Sequence, residues 1–263
     1  MKTETIGIFI SDDEFSAYVY KKIKEKGIDV FPVSFTSCRF ATTQIFNTGD
    51  ITHILEYLKE KGVGKLLLIG KVPPDLVFKK MHHSSDIFLK GKLPLSGELI
   101  LKKLADFLKE KGIDVIPLTK VLKDEIAQER NYTDIPLADV EKKDINIGFN
   151  FLQDVMKYRI GQSVVVKKGM VVAVEGMEGT DEMIRRAGRY CKEFVVVKIA
   201  GKNKDERFDI PVIGPHTVEV LAEVGGRVIA VEAGRTIIFD YSKTVELCNK
   251  NRITLIGIKG DSR

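Results

Sequence analysis

A recurring four-residue phrase, Lys-Glu-Lys-Gly, is the feature that most constrains how this chain of 263 residues can fold. It occurs at residues 24–27, 59–62 and 109–112, and Ile-Asp-Val follows the first and third copies. Lysines in a last helical turn, followed by a glycine in the left-handed C′ position, are typical of a helix end. The β-branched residues that come next are typical of a buried strand. Each copy therefore predicts the end of a helix and the start of a strand.

Short apolar runs and amphipathic stretches alternate throughout the first half of the chain. The predicted strands are Thr5–Ile10, Asp29–Phe35, Lys65–Ile69 and Ile113–Pro117, and the predicted helices lie near residues 13–26, 50–61 and 97–111. Strands that alternate with helices favour a parallel, doubly wound sheet. At roughly 150 residues per domain, the length indicates about two domains. We expect residues 1–130 to form an N-terminal Rossmann-like α/β domain.

The second half is predicted to be a second α/β domain, at residues 146–263, after a polar, turn-rich linker at residues 131–145. Its predicted strands are 163–167, 170–175, 194–199, 227–231, 236–239 and 253–258, and its predicted helices lie near 147–159, 181–192, 215–224 and 242–250. Lys168-Gly169 between two of these strands is typical of a hairpin turn. The second sheet should therefore be mixed, with helices around it.

Charge and cysteine content exclude several classes of function. The 42 basic and 37 acidic residues leave a net charge of only +5, and the two signs alternate, which argues against a nucleic-acid-binding arm. The three cysteines are far apart, so neither a disulfide framework nor a zinc ribbon is predicted. Because the sequence has neither an N-terminal signal core nor a run of about 20 apolar residues, we expect a cytoplasmic protein.

A loop rich in glycine and acids lies at residues 174–181, Val-Glu-Gly-Met-Glu-Gly-Thr-Asp, between a predicted strand and a predicted helix. Gly179 lets the backbone approach a ligand closely, and Thr180 can cap the helix whose amides would face an anion. Glu175, Glu178 and Asp181 offer hard oxygens suited to Mg²⁺. The alternative is structural, since acids are also favoured in the first turn of any helix.

Further polar residues follow in the same half of the chain. Asp209 precedes the helix-start signal Gly214-Pro215, where a phosphate could be held beside a base or a metal ion. Arg235 lies in a tight turn between strands and suits bidentate contact with a phosphate. Lys198 ends an otherwise apolar strand and could be a second cation. The alternative for both cations is an exposed surface charge. Together these turns favour a site for an anionic ligand.

The order and spacing of these segments resemble one family. The matching segments are residues 161–166, 172–183, 198, 209–219 and 232–236. They resemble the LpxI family of UDP-2,3-diacylglucosamine pyrophosphatases of lipid A biosynthesis. The resemblance implies Mg²⁺-dependent hydrolysis of the substrate's diphosphate, with water attacking the β-phosphorus. The products would be UMP and 2,3-diacylglucosamine 1-phosphate (lipid X).

The resemblance also implies roles for single residues. Asp209 would be the essential acid, as metal ligand or as base, and Glu178 and Asp181 would hold the metal. The residues that would contact phosphate or nucleotide are Gly179, Thr180, Lys198, Gly214, Thr217 and Arg235. An amphipathic nucleotide-sugar lipid as substrate, a homodimer and peripheral contact with the inner membrane are further implications.

Two alternatives stay open. A hydrolase of another nucleotide-diphosphate sugar would share the phosphate-binding residues. A non-catalytic sensor of a phosphorylated ligand would not need Asp209.

Overall fold

The computed structural model divides the chain into two compact units. Residues 5–47, 50–70, 97–158, 160–201 and 205–260 are described. The first unit comprises residues 1–122 together with 205–209, and the second comprises residues 123–204 and 210–263.

The first unit is a parallel α/β sheet in the part of the chain that the structure describes. Its strands are β1 (Thr5–Phe9), β2 (Asp29–Ser34), β3 (Gln44–Ile45), β4 (Lys65–Leu68) and β5 (Asp114–Val115), and its helices are α1 (Glu14–Glu25), α2 (Ile51–Glu60) and α3 (Gly97–Glu110). The strand order is β3-β2-β1-β4-β5, and every pairing is parallel. The predicted Rossmann-like sheet is confirmed.

The three Lys-Glu-Lys-Gly copies lie at the ends of α1, α2 and α3, as predicted. Gly27, Gly62 and Gly112 have φ angles of 69°, 68° and 86°, in the left-handed region that favours glycine. Each glycine N–H donates to the carbonyl of the lysine three residues before it, at 2.9–3.0 Å. The prediction succeeds because the turn is closed by local hydrogen bonds alone.

The second unit holds a mixed sheet, as predicted. Its strands are β6 (Arg130–Asn131), β7 (Ser163–Lys167), β8 (Met170–Val174), β9 (Val195–Lys198), β10 (Val212–Ile213), β11 (Val228–Glu232), β12 (Ile237–Ile238) and β13 (Thr254–Ile258). The larger sheet has the order β6-β13-β11-β9-β7-β8, with β9, β11 and β13 parallel, and β10 pairs in parallel with β12. Lys168 and Gly169 form the predicted hairpin turn between β7 and β8, both with positive φ.

Helices cover both faces of the larger sheet. They are α4 (Asp139–Val155), α5 (Thr180–Gly188), α6 (Pro215–Glu223) and α7 (Tyr241–Lys250). Val195 and Val197 of β9 join the core under α4, while Val196 joins the core under α5, α6 and α7. This alternation follows from the two-residue period of a strand. It is why β9 is apolar on both faces.

Some element bounds differ from those predicted. Helix α4 begins at Asp139 instead of near residue 147, so its first turns lie in the segment that we expected to be a linker. Arg130–Asn131 adds an antiparallel edge strand to β13. The predicted helix end at residue 159 lies outside the described residues.

Within the described ranges, none of the helices is long and apolar enough to span a membrane.

The early start of α4 brings a buried carboxylate to the hairpin, and this gives a test of the fold. Asp144 is 2 % exposed, and its oxygens accept from the N–H groups of Lys168 and Gly169, both at 2.7 Å. In Asp144→Asn one oxygen becomes an NH₂ group that faces a backbone donor. We expect the free energy of unfolding to fall by about 1.5–3 kcal/mol, the range for hydrogen bonds to charged groups.

Urea unfolding followed by circular dichroism measures this change through the midpoint, with an unchanged m-value. Asp154→Asn, at an exposed position of the same helix, is the matched control and should leave the midpoint unchanged. Equal midpoints for Asp144→Asn and wild type would contradict the role of Asp144.

Candidate functional site

The candidate site lies at the edge of the second unit's sheet where β8, β9, β11 and β13 end. Strand β8 is antiparallel to β7 and β7 to β9, so β8 runs in the same direction as β9. Strands β11 and β13 also run in that direction. In open α/β sheets, ligands bind outside the carboxyl ends of the strands. We call this edge the carboxyl edge.

Two helices start at the carboxyl edge, and each has a glycine at its N-cap. Gly179 precedes α5 with a φ of 82°, and among the described residues no heavy atom lies within 4 Å of a Cβ built there. Gly214 precedes α6, and a Cβ there would lie 2.0 Å from the Phe239 ring. A glycine has no side chain to cap the first-turn amides, so these donors are left for another acceptor.

A side-chain contact joins the first turns of α5 and α6. The Thr217 hydroxyl of α6 donates to Asp181 Oδ1 of α5 at 3.1 Å. His216 Nε2 lies 3.6 Å from the other Asp181 oxygen. The structure thus brings together two predicted site residues, Asp181 and Thr217, that are 36 positions apart in the sequence.

Lys198 and Thr180, both predicted phosphate contacts, also contact each other. Lys198 is only 8 % exposed, and its Nζ donates to Thr180 Oγ1 and to the Val212 carbonyl, both at 2.9 Å. Thr180 Oγ1 lies 3.3 Å from the Ser163 hydroxyl and 3.1 Å from Glu175 Oε1. These side chains form a network that is largely buried beneath the carboxyl edge.

Glu175 is held in that network by the segment that starts β7. Its Oε2 accepts the backbone N–H of Gln162 at 2.9 Å. A Cβ at Gly161 would lie 2.3 Å from the Glu175 side chain, so residue 161 must be a glycine for Glu175 to pack there. The Gly-Gln-Ser segment at residues 161–163 therefore supports the network.

Glu178, a predicted metal ligand, forms an ion pair instead. Its Oε1 lies 2.6 Å from Arg186 Nη2, and the same guanidinium donates to the Val174 carbonyl at 2.9 Å. A hydrogen bond from its own backbone N–H and, second, the Arg186 guanidinium hold the pKa of Glu178 below its ordinary value. The loop that carries Glu178 therefore folds back onto α5, and the sequence analysis did not identify Arg186 as the partner of Glu178.

The carboxylates do not form a ready metal cluster in the described part of the chain. No group of three or more His, Cys, Asp or Glu side chains there has a geometry that could hold a metal ion. Glu175 is engaged by Thr180 and Glu178 by Arg186. Asp181 accepts from the Thr217 hydroxyl and has no ion pair with Lys or Arg among the described residues, so its hard oxygens could also be offered to Mg²⁺. Mg²⁺ typically takes one or two carboxylates together with substrate phosphates.

Asp209 ends the short segment 205–209 that belongs to the first unit. Its N–H donates to the Asp205 carbonyl at 3.2 Å, and Phe208 packs against that unit's core. Arg207 closes the turn through a two-pronged contact with the Asp205 carboxylate at 2.9 and 2.7 Å, which holds the pKa of Asp205 below its ordinary value. Sequence reasoning missed this pair, although an Asp two residues before an Arg in a polar turn is a usable signal.

Arg235 lies in the predicted tight turn after β11. Its Nη1 lies 3.4 Å from Glu232 Oε1, and its side chain is 32 % exposed. The other Glu232 oxygen accepts the N–H of Ala200, just after β9, at 2.7 Å. Glu232 therefore ties the turn to the end of the neighbouring strand and leaves Arg235 partly accessible.

Comparisons with known proteins agree with this architecture. Residues 6–125 match the family model of the LpxI N-terminal domain, and residues 128–256 match that of the LpxI C-terminal domain. A relative from Caulobacter vibrioides, named UDP-2,3-diacylglucosamine pyrophosphatase LpxI, is 26 % identical over 175 residues. That alignment covers 63 % of this chain and 62 % of the relative, so it spans less than two thirds of the relative's length.

The Glu178–Arg186 pair predicts a measurable titration. In wild-type protein, the Glu178 carboxyl should titrate below the ordinary glutamate pKa of about 4.3, and Arg186→Met should raise that pKa part of the way back. The backbone hydrogen bond accounts for the remainder. Because the folded-state pKa is lowered, the pair stabilises the fold above the unfolded-state pKa, and this stabilisation is lost as pH falls through the folded-state pKa.

Carbon-13 NMR of the side-chain carboxyl measures the pKa directly. Arg185→Met removes a neighbouring guanidinium that pairs with Glu182 at 2.8 Å, and it should leave the titration of Glu178 unchanged. An unchanged pKa in Arg186→Met would contradict the assignment.

Proposed function

This chain belongs to the LpxI family, and from that membership and the geometry of the carboxyl edge we propose that it hydrolyses the diphosphate of UDP-2,3-diacylglucosamine. The products would be UMP and 2,3-diacylglucosamine 1-phosphate. The name of the Caulobacter vibrioides relative supports this choice of substrate.

The main support for this proposal is that the N-termini of α5 and α6, each preceded by a glycine, lie side by side. The first turns of α5 and α6 are joined by the contact between Asp181 and Thr217. Helix N-termini carry partial positive charge and unpaired N–H donors, which suit the oxygens of a phosphate. Two such ends side by side fit a diphosphate, because each end can serve one phosphoryl group.

Within this proposal, the N–H groups of residues 180–181 and of residues 216–217, after Pro215, bind the diphosphate, while the hydroxyls of Thr180 and Thr217 hold the carboxylates of Glu175 and Asp181. Arg235 adds a charge-assisted contact from the neighbouring turn, since its planar guanidinium matches phosphate geometry. Donors fixed before the substrate arrives lower the energy of the charge that develops in the transition state.

Asp181 would be the residue of this chain that holds a magnesium ion, since Mg²⁺ typically takes one or two carboxylates together with substrate phosphates. Bound there, the ion would offset diphosphate charge and polarise the bond to be cleaved. Glu178 is the second metal ligand expected from the sequence, but it could bind the ion only if its ion pair with Arg186 broke. We therefore assign the ion to Asp181 and keep Glu178 as the partner of Arg186.

Asp209 is proposed as the carboxylate that acts on the attacking water. The turn closed by Asp205 and Arg207 fixes the backbone on which Asp209 lies. A carboxylate can accept the proton of a water that attacks the β-phosphorus, and UMP is then the leaving group. An acylated substrate resides in a membrane, so this function also entails peripheral contact with the membrane surface.

Incubation of the purified protein with UDP-2,3-diacylglucosamine tests the function. We expect UMP release with Mg²⁺, none in excess chelator, and recovery when Mg²⁺ is added back. Asp181→Asn should need far more Mg²⁺ for half-maximal rate, whereas Glu178→Gln should need about the same concentration as wild type. Equal Mg²⁺ requirements for Asp181→Asn and wild type would remove Asp181 from the metal site.

Two further measurements in this assay identify the phosphorus that is attacked and test the two alternative functions. In ¹⁸O-water, the label should enter the lipid phosphate, and label in UMP would instead place the attack on the α-phosphorus. Turnover of a non-acylated UDP-sugar, with none of the lipid, would indicate a different nucleotide-diphosphate sugar hydrolase. Binding of UMP without any turnover would indicate a sensor.

Asp209→Asn tests the role proposed for the Asp209 carboxylate. The change is nearly isosteric, so circular dichroism should show a folded protein, while turnover should fall by about 10²–10⁴-fold, the usual cost of losing a general acid–base group. Substrate binding should persist, because the change removes one negative charge and no group that donates to a phosphate. Unchanged Mg²⁺ affinity in the variant would identify Asp209 as the base, and weakened affinity would make it a metal ligand. Turnover near the wild-type rate in a folded variant would refute both roles.

A further inference from the structure

Lys198 is a buried cation that donates hydrogen bonds to two other segments of the chain. It ends β9, pairs in register with Ser163 of β7, and is 8 % exposed. A buried ammonium is costly unless acceptors surround it. Lys198 meets this need through the Thr180 hydroxyl and the Val212 carbonyl.

One of these contacts reaches the start of α5. Thr180 is the first residue of that helix, directly after the Gly179 N-cap. Its hydroxyl is shared with Glu175, which the backbone of Gln162 holds in turn. The ammonium therefore fixes the first turn of α5 against the ends of β8 and β9.

The other contact reaches the chain that leads into α6. Val212 lies in β10, two residues before the Gly214 N-cap of that helix. A shift of the Val212 carbonyl would carry Gly214 with it, because only Ile213 separates them. One ammonium is thus hydrogen-bonded to the chain at the start of α5 and just before α6.

From this arrangement we propose that Lys198 is a positioning residue, which sets the first turns of α5 and α6 relative to each other. This role differs from direct contact with a substrate phosphate, which the sequence suggests for a lysine at a strand end. The kinetic consequences rest on the proposed diphosphate hydrolysis, whereas the effect on the two helix starts does not.

Steady-state kinetics and UMP binding separate positioning from contact. In Lys198→Met, misaligned helix starts should lower kcat by about 10²-fold, the scale that a misplacement of about 1 Å can cost. The Kd for UMP, measured by calorimetry, should change by less than about threefold, because no ligand contact is removed. A large rise in Kd and KM with kcat retained would instead make Lys198 a phosphate ligand.

A double-mutant cycle tests whether Lys198 affects kcat through its contact with Thr180. If Lys198 acts through Thr180, the loss of kcat in Lys198→Met plus Thr180→Val should be close to that of the more damaging single variant. Thr180→Ser retains the hydroxyl and should keep most of the activity. If the two losses of kcat instead multiply in the double variant, as they would for two independent substrate contacts, the proposal is wrong.

Hydrogen exchange gives a readout that needs no activity. In Lys198→Met, backbone amides at residues 183–187 of α5 and 218–221 of α6 should exchange faster than in wild type. Lys167→Met, on the neighbouring strand β7, removes a lysine that bonds the Glu193 carbonyl at 2.6 Å, and it should leave both helices unchanged. If the wild type does not hydrolyse the lipid, this experiment still decides the proposal.

Unchanged exchange in both helices of folded Lys198→Met would refute the positioning role even if the lipid is hydrolysed. Should Lys198→Met not fold, Lys198→Gln and Thr180→Val serve in its place. Each should speed exchange in α5, while Thr180→Ser should not.

Discussion

Parallel pairing of β9 with β11, and of β11 with β13, is the constraint on which the second unit depends. Parallel strands end at the same edge, so the chain must cross back between them, and it does so through helices. Strand β8 ends at this edge too, and α5 follows it. The N-termini of α5 and α6 meet there and are joined through Thr217 and Asp181. Their partial positive charges are the basis for proposing an anionic ligand at this edge.

The N-cap residues at this edge leave the helix N-termini accessible, at a cost to the stability of the two helices. A serine or aspartate at an N-cap usually stabilises a helix, yet glycine holds both positions, 179 and 214. Beneath them, Lys198 and Glu175 are held by one shared hydroxyl, that of Thr180. Charges removed from water must find partners, so a change in one member disturbs the others. Under the proposed function, this coupling predicts that substitutions in the network have non-additive effects.

Local patterns predicted most of the fold because they are closed by neighbours in sequence. Helix ends at Gly27, Gly62 and Gly112, the hairpin at Lys168-Gly169 and the long strands all follow from such patterns. The start of α4 escaped prediction, since Ala138 precedes it in place of a capping side chain, and Glu141 binds the Ala138 N–H instead. The two-residue strands β3, β6 and β10 also escaped. β3 and β6 pair with the edges of longer strands, β2 and β13, whereas β10 pairs with the equally short β12.

For the candidate site, the sequence by itself determined which residues are predicted to form it: the glycine-acid loop, Lys198, the Gly214-Pro215 helix start and the turn at Arg235. It could not decide how they pair. Glu178 reads as a metal ligand but binds Arg186, and Lys198, the predicted phosphate contact, is buried and donates to Thr180 and Val212. These partners lie 8 to 36 positions apart in the sequence. Strand register and the meeting of two helix starts bring them together, and no local sequence pattern encodes that geometry.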